Sequence, residues 1–130
     1  MRIAVYGKGG IGKSTIASNL SVGLASGEKR VLHIGCDPKG DSCQGIMGRT
    51  IPDFVQMLAE KGADLQAEDI IFKGKRGVHC MEVGGPRNGN GCAGMGMNAM
   101  NSMMERFGIW KKHWDYIVYD KRTSFKGKGV

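Results

Sequence analysis

Nine residues near the amino terminus, GKGGIGKST from Gly7 to Thr15, carry the spacing of two different phosphate-binding fingerprints. Gly7, Gly9 and Gly12 fit G-x-G-x-x-G, in which glycines let the backbone approach the pyrophosphate of a dinucleotide. Gly7, Gly12, Lys13 and Ser14 fit G-x-x-x-x-G-K-S, whose backbone N–H groups cradle a nucleoside triphosphate. Asp37, 25 positions after Gly12, stands where the first pattern would put a ribose-binding carboxylate. The residues after Gly12 decide for the second pattern. A pyrophosphate at a helix N-terminus needs only N–H groups and the helix dipole, whereas Lys13 adds a full charge for β- and γ-phosphates and Ser14 a hydroxyl for Mg²⁺. A lysine at a helix start opposes the dipole unless an anion is there to be bound. The expected triphosphate site is therefore Gly7, Lys8, Gly9, Gly10, Ile11, Gly12, Lys13, Ser14 and Thr15, with Mg²⁺ on Ser14. Lys8 is an extra cation that the ordinary pattern does not require.

Such a loop must be held between a strand and a helix, and the flanking residues supply both. Arg2 to Tyr6 (RIAVY) is an apolar strand that runs into the glycines, and Ile16, Leu20 and Leu24 repeat at i, i+4, i+8 as one face of a helix closed near Gly27. Val31 to Gly35 (VLHIG) is a second strand, and the crossover predicts that it pairs in parallel with the first. Pro52, Phe54, Met57, Leu58 and Gly62 mark a second helix, and Val78 to Val83 (VHCMEV) a strand. The following stretch has six glycines between Gly84 and Gly96, a composition suited to close backbone approach. A helix from about Ala93 or Gly96 to Phe107 precedes a last strand, Tyr116 to Tyr119, that delivers Asp120. Alternating strands and helices predict an α/β domain with a mostly parallel sheet flanked by helices.

Composition is compatible with one such domain. The chain has 130 residues, 41% of them hydrophobic, and no run approaches the roughly 18 to 20 apolar residues of a membrane span. With no leader pattern, the expected location is cytoplasmic, without a membrane partner. The net charge is +7, but residues 1–120 hold 15 Lys and Arg against 12 Asp and Glu, so the excess sits in residues 121–130. That segment, KRTSFKGKGV, interleaves no aromatic and basic groups as a base-stacking surface does; it reads as a solvated tail after a 1–120 domain, and no nucleic-acid partner is expected. Cys36, Cys43, Cys80 and Cys92 show no C-x-x-C spacing, which argues against a disulfide framework. Met97, Met100 and Met104 fall at helical spacing with Phe107 and read as a core stripe. His33, His79 and His113 lack a second histidine at metal-ligand spacing and read as structural.

With Lys8 included, K-G-G-x-G-K-S resembles the deviant Walker A loop of the ParA/MinD and nitrogenase iron-protein class of ATPases. The resemblance narrows at Gly35 to Ser42, GCDPKGDS, which is similar to switch I of the nitrogenase iron protein and its relatives in chlorophyll and coenzyme F430 synthesis. Gly84–Gly85–Pro86 with Gly91–Cys92–Ala93–Gly94 looks like that family's G-G-P…G-C-A-G loop. The match covers residues 1–120. It implies a P-loop NTPase fold and a homodimer that hydrolyses MgATP and passes electrons from a subunit-bridging [4Fe–4S] cluster to a nitrogenase-like catalytic reductase. The implied catalytic residues are Lys8, reaching the partner subunit's nucleotide, Asp37, positioning the attacking water, and Asp120, beginning switch II. Asp41 would sense Mg²⁺ together with Ser14, and Cys92 would ligate the cluster. Cys36 and Cys80 read as core thiols, and Cys43 has no role assigned.

The sequence departs from the family in two places. Met95 stands where an arginine often follows G-C-A-G, so dinitrogen, protochlorophyllide, an F430 precursor or another substrate of the partner all remain open. The family's aspartate matching Asp120 is followed by V-L-G-D-V-V-C-G-G-F, with the second cluster cysteine, while this sequence reads D-K-R-T-S-F-K-G-K-G-V. Truncated in this way relative to the family, a two-fold dimer offers two Cys92 ligands to a cluster that needs four. The expectation is that this chain by itself keeps the phosphate loop and switch I but holds no stable cluster. The alternative from another class is a ParA/MinD-type positioning ATPase without a cluster.

Overall fold

Apolar runs become strands wherever neighbours can cover them. The computed structural model describes residues 1–7, 13–36, 42–84 and 93–122, with the backbone alone of Gly7, Lys13, Ser14, residues 93–97 and Arg122. Along the chain, β1 (Arg2–Gly7) is followed by α1 (Lys13–Ala25), β2 (Val31–Cys36), the single turn α2 (Gln44–Met47) and α3 (Phe54–Lys61). Then come a two-residue β3 (Phe72–Lys73), β4 (His79–Glu82), α4 (Ala93–Arg106) and β5 (Tyr116–Arg122). Short 3-10 turns at Gly62–Asp64, Ala67–Asp69 and Lys75–Gly77 occupy part of the stretch between α3 and β4.

The strands form one sheet in the order β1-β5-β2-β4-β3, parallel except for the antiparallel β3. The direct pairing of β1 with β2 expected from the crossover does not occur, because β5 lies between them: Ile3 pairs Val118, and His33 pairs Val118 from the other side. Burial explains the insertion. Residues 117–120 of β5 are all buried, which suits a strand covered on both faces, whereas Arg2, Ala4 and Tyr6 of β1 are exposed. Beyond Asp120, β5 continues through Lys121 and Arg122, which pair with Tyr6 and Gly7. Asp120 therefore sits within the strand.

The helix α1 presents a different face to the sheet from the one its leucines suggest. Ile16 is 61% exposed and Leu20 and Leu24 are half-buried, while Ala17, Ser18, Ser21 and Ala25 are buried. Small side chains allow a helix to approach a sheet closely, and the two buried hydroxyls are tolerated because each has a partner. Helix α3 begins at Asp53, whose carboxylate accepts the Gln56 N–H at 2.7 Å, the N-cap arrangement that satisfies an otherwise orphaned donor.

Side chains divide between the two faces of the sheet. Leu32, Ile34, Met81 and Ile117 pack with Phe54, Leu65, Met100 and Met104 on one face. On the other, Val31, Cys80 and Val118 pack with Ala25, Cys43 and Ile46. The expected methionine stripe is buried at Met100 and Met104, with Phe107 half-buried; the side chain of Met97 lies outside the described residues. Among the described residues, no helix is long and apolar enough to cross a membrane.

Candidate functional site

Four parallel strands place their carboxyl ends along one edge, where Gly7, the start of α1 and Asp120 lie. Gly7 ends β1, and Lys13 and Ser14 open α1, whose amino terminus is the positive end of its dipole. Thr15 is exposed in the first turn. Lys8, Gly9, Gly10, Ile11 and Gly12 lie outside the described residues, as do Asp37 and Asp41, which follow β2, and Cys92, which precedes α4. Asp120 is fully buried in β5, level with Val5 of β1 and Gly35 of β2.

Around Asp120 the structure builds a polar group from four elements. Gly35 is flanked in register by Asp120 on one side and Glu82 on the other, so the two carboxylates share the face covered by α1. Gly35 leaves a slot between them that Ser42 fills: a Cβ at position 35 would lie 2.5 Å from Ser42 Cβ and 2.9 Å from Glu82 Cδ. The Ser42 hydroxyl donates to Asp120 Oδ2, and the Cys43 N–H donates to Glu82 Oε2 at 2.5 Å. The Ser18 hydroxyl of α1 donates to the Ser42 carbonyl at 3.2 Å. His33 Nε2 stands 3.0 Å from Ser42 Oγ, and its Nδ1 stands 2.7 Å from Ser21 Oγ. All of these residues are buried. Hydrogen bonds to a charged acceptor in a dry setting are stronger than neutral ones, so the turn at Ser42 and Cys43 is pinned to the sheet.

Sequence reasoning named Asp120 but passed over Glu82 and Ser42 and read His33 as structural. A signal existed for Glu82: a carboxylate inside the apolar run VHCMEV is costly unless something donates to it. The cysteines take up packing positions. Cys43 and Cys80 lie on the α1 face and Cys36 on the opposite one, all buried. Its hydrogen bond with Cys80, burial and the Glu82 charge push the Cys43 thiol well above its usual range, so it remains protonated and inert. Among the described residues no three His, Cys, Asp or Glu side chains converge as a metal site.

The opposite edge of the sheet holds a cleft of about 260 Å³ lined by Arg30, Glu68, Ile71, His79, Lys112 and Trp114, none of them singled out by the sequence motifs. Arg30 stacks 4.9 Å from the Trp114 ring, and His79 meets that ring edge-on at 5.3 Å. Burial, and then the charges of Arg30, Lys73 and Lys112, lower the His79 pKa.

Comparison with known proteins agrees with this arrangement. Residues 1–123 match the model of a family described as 4Fe-4S iron sulfur cluster binding proteins, NifH/frxC family. The chain is 44% identical over 119 residues to nitrogenase iron protein 2 of Methanothermobacter thermautotrophicus, covering 92% of this chain and 44% of that protein. It is 46% identical over 121 residues to the nitrogenase iron protein of Methanospirillum hungatei JF-1, covering 92% and 42%. It thus spans less than half the length of these curated relatives. Among solved structures, the MinD cell division protein of Aquifex aeolicus matches with a TM-score of 0.58 at 26% identity, over 97% of this chain and 48% of that one.

Proposed function

The chain belongs to the NifH/frxC family of 4Fe-4S iron sulfur cluster binding proteins, and from that membership we propose that it serves an MgATP-dependent iron–sulfur reductase component, coupling ATP hydrolysis to electron delivery to a partner reductase. The observation that carries the nucleotide part is the meeting of β1, the start of α1 and the Asp120–Ser42 pair at one edge of the sheet. A helix N-terminus at that edge suits phosphate, and by the family resemblance Lys13 would meet its charge and Ser14 with Asp41 would hold Mg²⁺. Bound MgATP supplies the phosphoryl group that hydrolysis transfers to water. The residues of this chain would orient that group: the 7–15 segment holds the phosphates, Asp37 positions water, and Lys8 reaches the partner subunit's nucleotide. Asp120, clamped by Ser42, would tie β5 to the end of the 37–41 segment.

The described thiols do not form a cluster ligand set, since Cys36 and the Cys43–Cys80 pair face opposite sides of the sheet. Cys92 is the cluster ligand that the family resemblance implies. The nitrogenase iron proteins among its relatives are chains more than twice as long. The likeness to MinD supports a second reading, a positioning ATPase without a cluster. Because this chain by itself is expected to hold no stable cluster, iron content does not separate the two: MgATP-dependent binding to a nitrogenase-like reductase favours the first reading, and ATP-gated binding to DNA or lipid vesicles favours the second.

The nucleotide assignment is tested by calorimetry with MgATP and NADH side by side. The wild type is expected to bind MgATP and not NADH, and Lys13→Ala to bind neither, because the phosphates lose a fixed cation of the loop. Unchanged MgATP affinity in Lys13→Ala refutes the assignment.

A further inference from the structure

We propose that His33 is a positioning residue for the phosphate site, linking α1 to Asp120 through Ser42. This inference rests on the nucleotide reading above and names a residue that the motifs do not. His33 is wholly buried in the middle of β2, on the face covered by α1, and each ring nitrogen meets a different hydroxyl. The Ser42 hydroxyl donates to the Asp120 carboxylate, so Ser42 Oγ faces His33 as an acceptor, and this arrangement assigns the ring hydrogen to Nε2. Nδ1 is then an acceptor, and the Ser21 hydroxyl donates to it. The result is a one-way series of donations: Ser21 to His33, His33 to Ser42, Ser42 to Asp120.

Along this series each donation polarises the next. The series joins α1 to β5 by way of Ser42, in the turn ahead of α2. A side chain filling the same space without nitrogens would preserve packing but release Ser42 to rotate. Ser42 would then hold Asp120 in more than one orientation, and misplacement on the order of 1 Å can cost about 100-fold in rate. A packing role predicts something different: stability changes with turnover intact.

Two near-isosteric substitutions separate the roles. In His33→Gln the amide nitrogen replaces Nε2 and can still donate to Ser42; in His33→Asn the amide oxygen takes the place of Nδ1, accepting from Ser21, and nothing reaches Ser42. MgATP turnover is measured on the whole chain with each variant, alongside urea unfolding and amide exchange at Cys43. The expected result is a kcat lower by about tenfold or more in His33→Asn with KM changed less than about threefold, and recovery toward wild type in His33→Gln. Exchange at Cys43 is expected to be faster in His33→Asn alone. Ser21→Ala, which leaves Ser42 and Asp120 untouched, is expected to lower kcat in the same sense, and serves if His33→Asn does not fold. Wild-type kcat and KM in His33→Asn, or in Ser21→Ala where that variant stands in for it, overturn the inference while leaving the nucleotide reading intact. Absence of any MgATP response in the wild type overturns both.

Discussion

Replacing Gly35 by alanine puts a methyl group where Ser42 and Glu82 already stand. The new carbon would lie 2.5 Å from Ser42 Cβ and 2.9 Å from Glu82 Cδ, against an ordinary carbon–carbon contact of about 3.5 to 4.0 Å. About 1 Å must therefore be found. Ser42 cannot supply it without loosening its bonds to Asp120 and His33, and Glu82 cannot without releasing the Cys43 N–H. Overpacking of this kind costs about 1–3 kcal/mol, and a hydrogen bond lost from a buried charged acceptor about 1.5–3 kcal/mol more. A loss of roughly 3–5 kcal/mol is expected, a large share of the ~5–15 kcal/mol available to an ordinary domain. The competing effect has the opposite sign: Gly35 is not in the left-handed region, and at such sites alanine for glycine stabilises by about 0.4–1 kcal/mol through the unfolded chain. The sign of the change is thus diagnostic. Urea unfolding of wild type and Gly35→Ala, with equal slopes confirming two-state behaviour, measures it. A midpoint equal to or above wild type would refute the close packing of Ser42 and Glu82 over Gly35.

Two further outcomes follow from other features of the fold. Asp53→Ala is expected to lower stability by about 1 kcal/mol, by removing the N-cap of α3 and orphaning the Gln56 N–H; a chemical denaturation curve unmoved by the substitution refutes the cap. His79 has a folded-state pKa below its usual 6.5, so the unfolded chain binds more protons between the two values. Its contribution to stability is accordingly complete above 6.5 and is lost as pH falls from 6.5 through the depressed folded pKa. His79→Asn is expected to flatten the pH dependence of the unfolding midpoint in that interval, and an unaltered slope contradicts the reading.

The amino-acid order by itself determined what is local. Strand and helix positions emerged near their observed bounds because periodicity, caps and glycine stops act over a few residues: RIAVY became β1, Pro52 and Gly62 bracket α3, and the stripe of Met100 and Met104 is buried. Membership of the family was legible too, since GKGGIGKST and GCDPKGDS are contiguous and each residue type has a chemical reason to be there. Pairing was not legible. Which strands lie inside the sheet depends on which can be buried on both faces after distant helices have packed, and that placed β5 between β1 and β2. The buried face of α1 was hidden for a related reason. Leucine and isoleucine advertise an apolar stripe, but Ala17, Ser18 and Ser21 can lie against a sheet only where partners such as His33 and Ser42 already stand to receive the hydroxyls. Glu82, Ser42 and His33 are separated along the chain by up to 49 positions. Only the fold, by setting Gly35 between two carboxylates, made them one polar group, because hydrogen bonds of about 3 Å are decided by where backbones cross and not by spacing along the sequence.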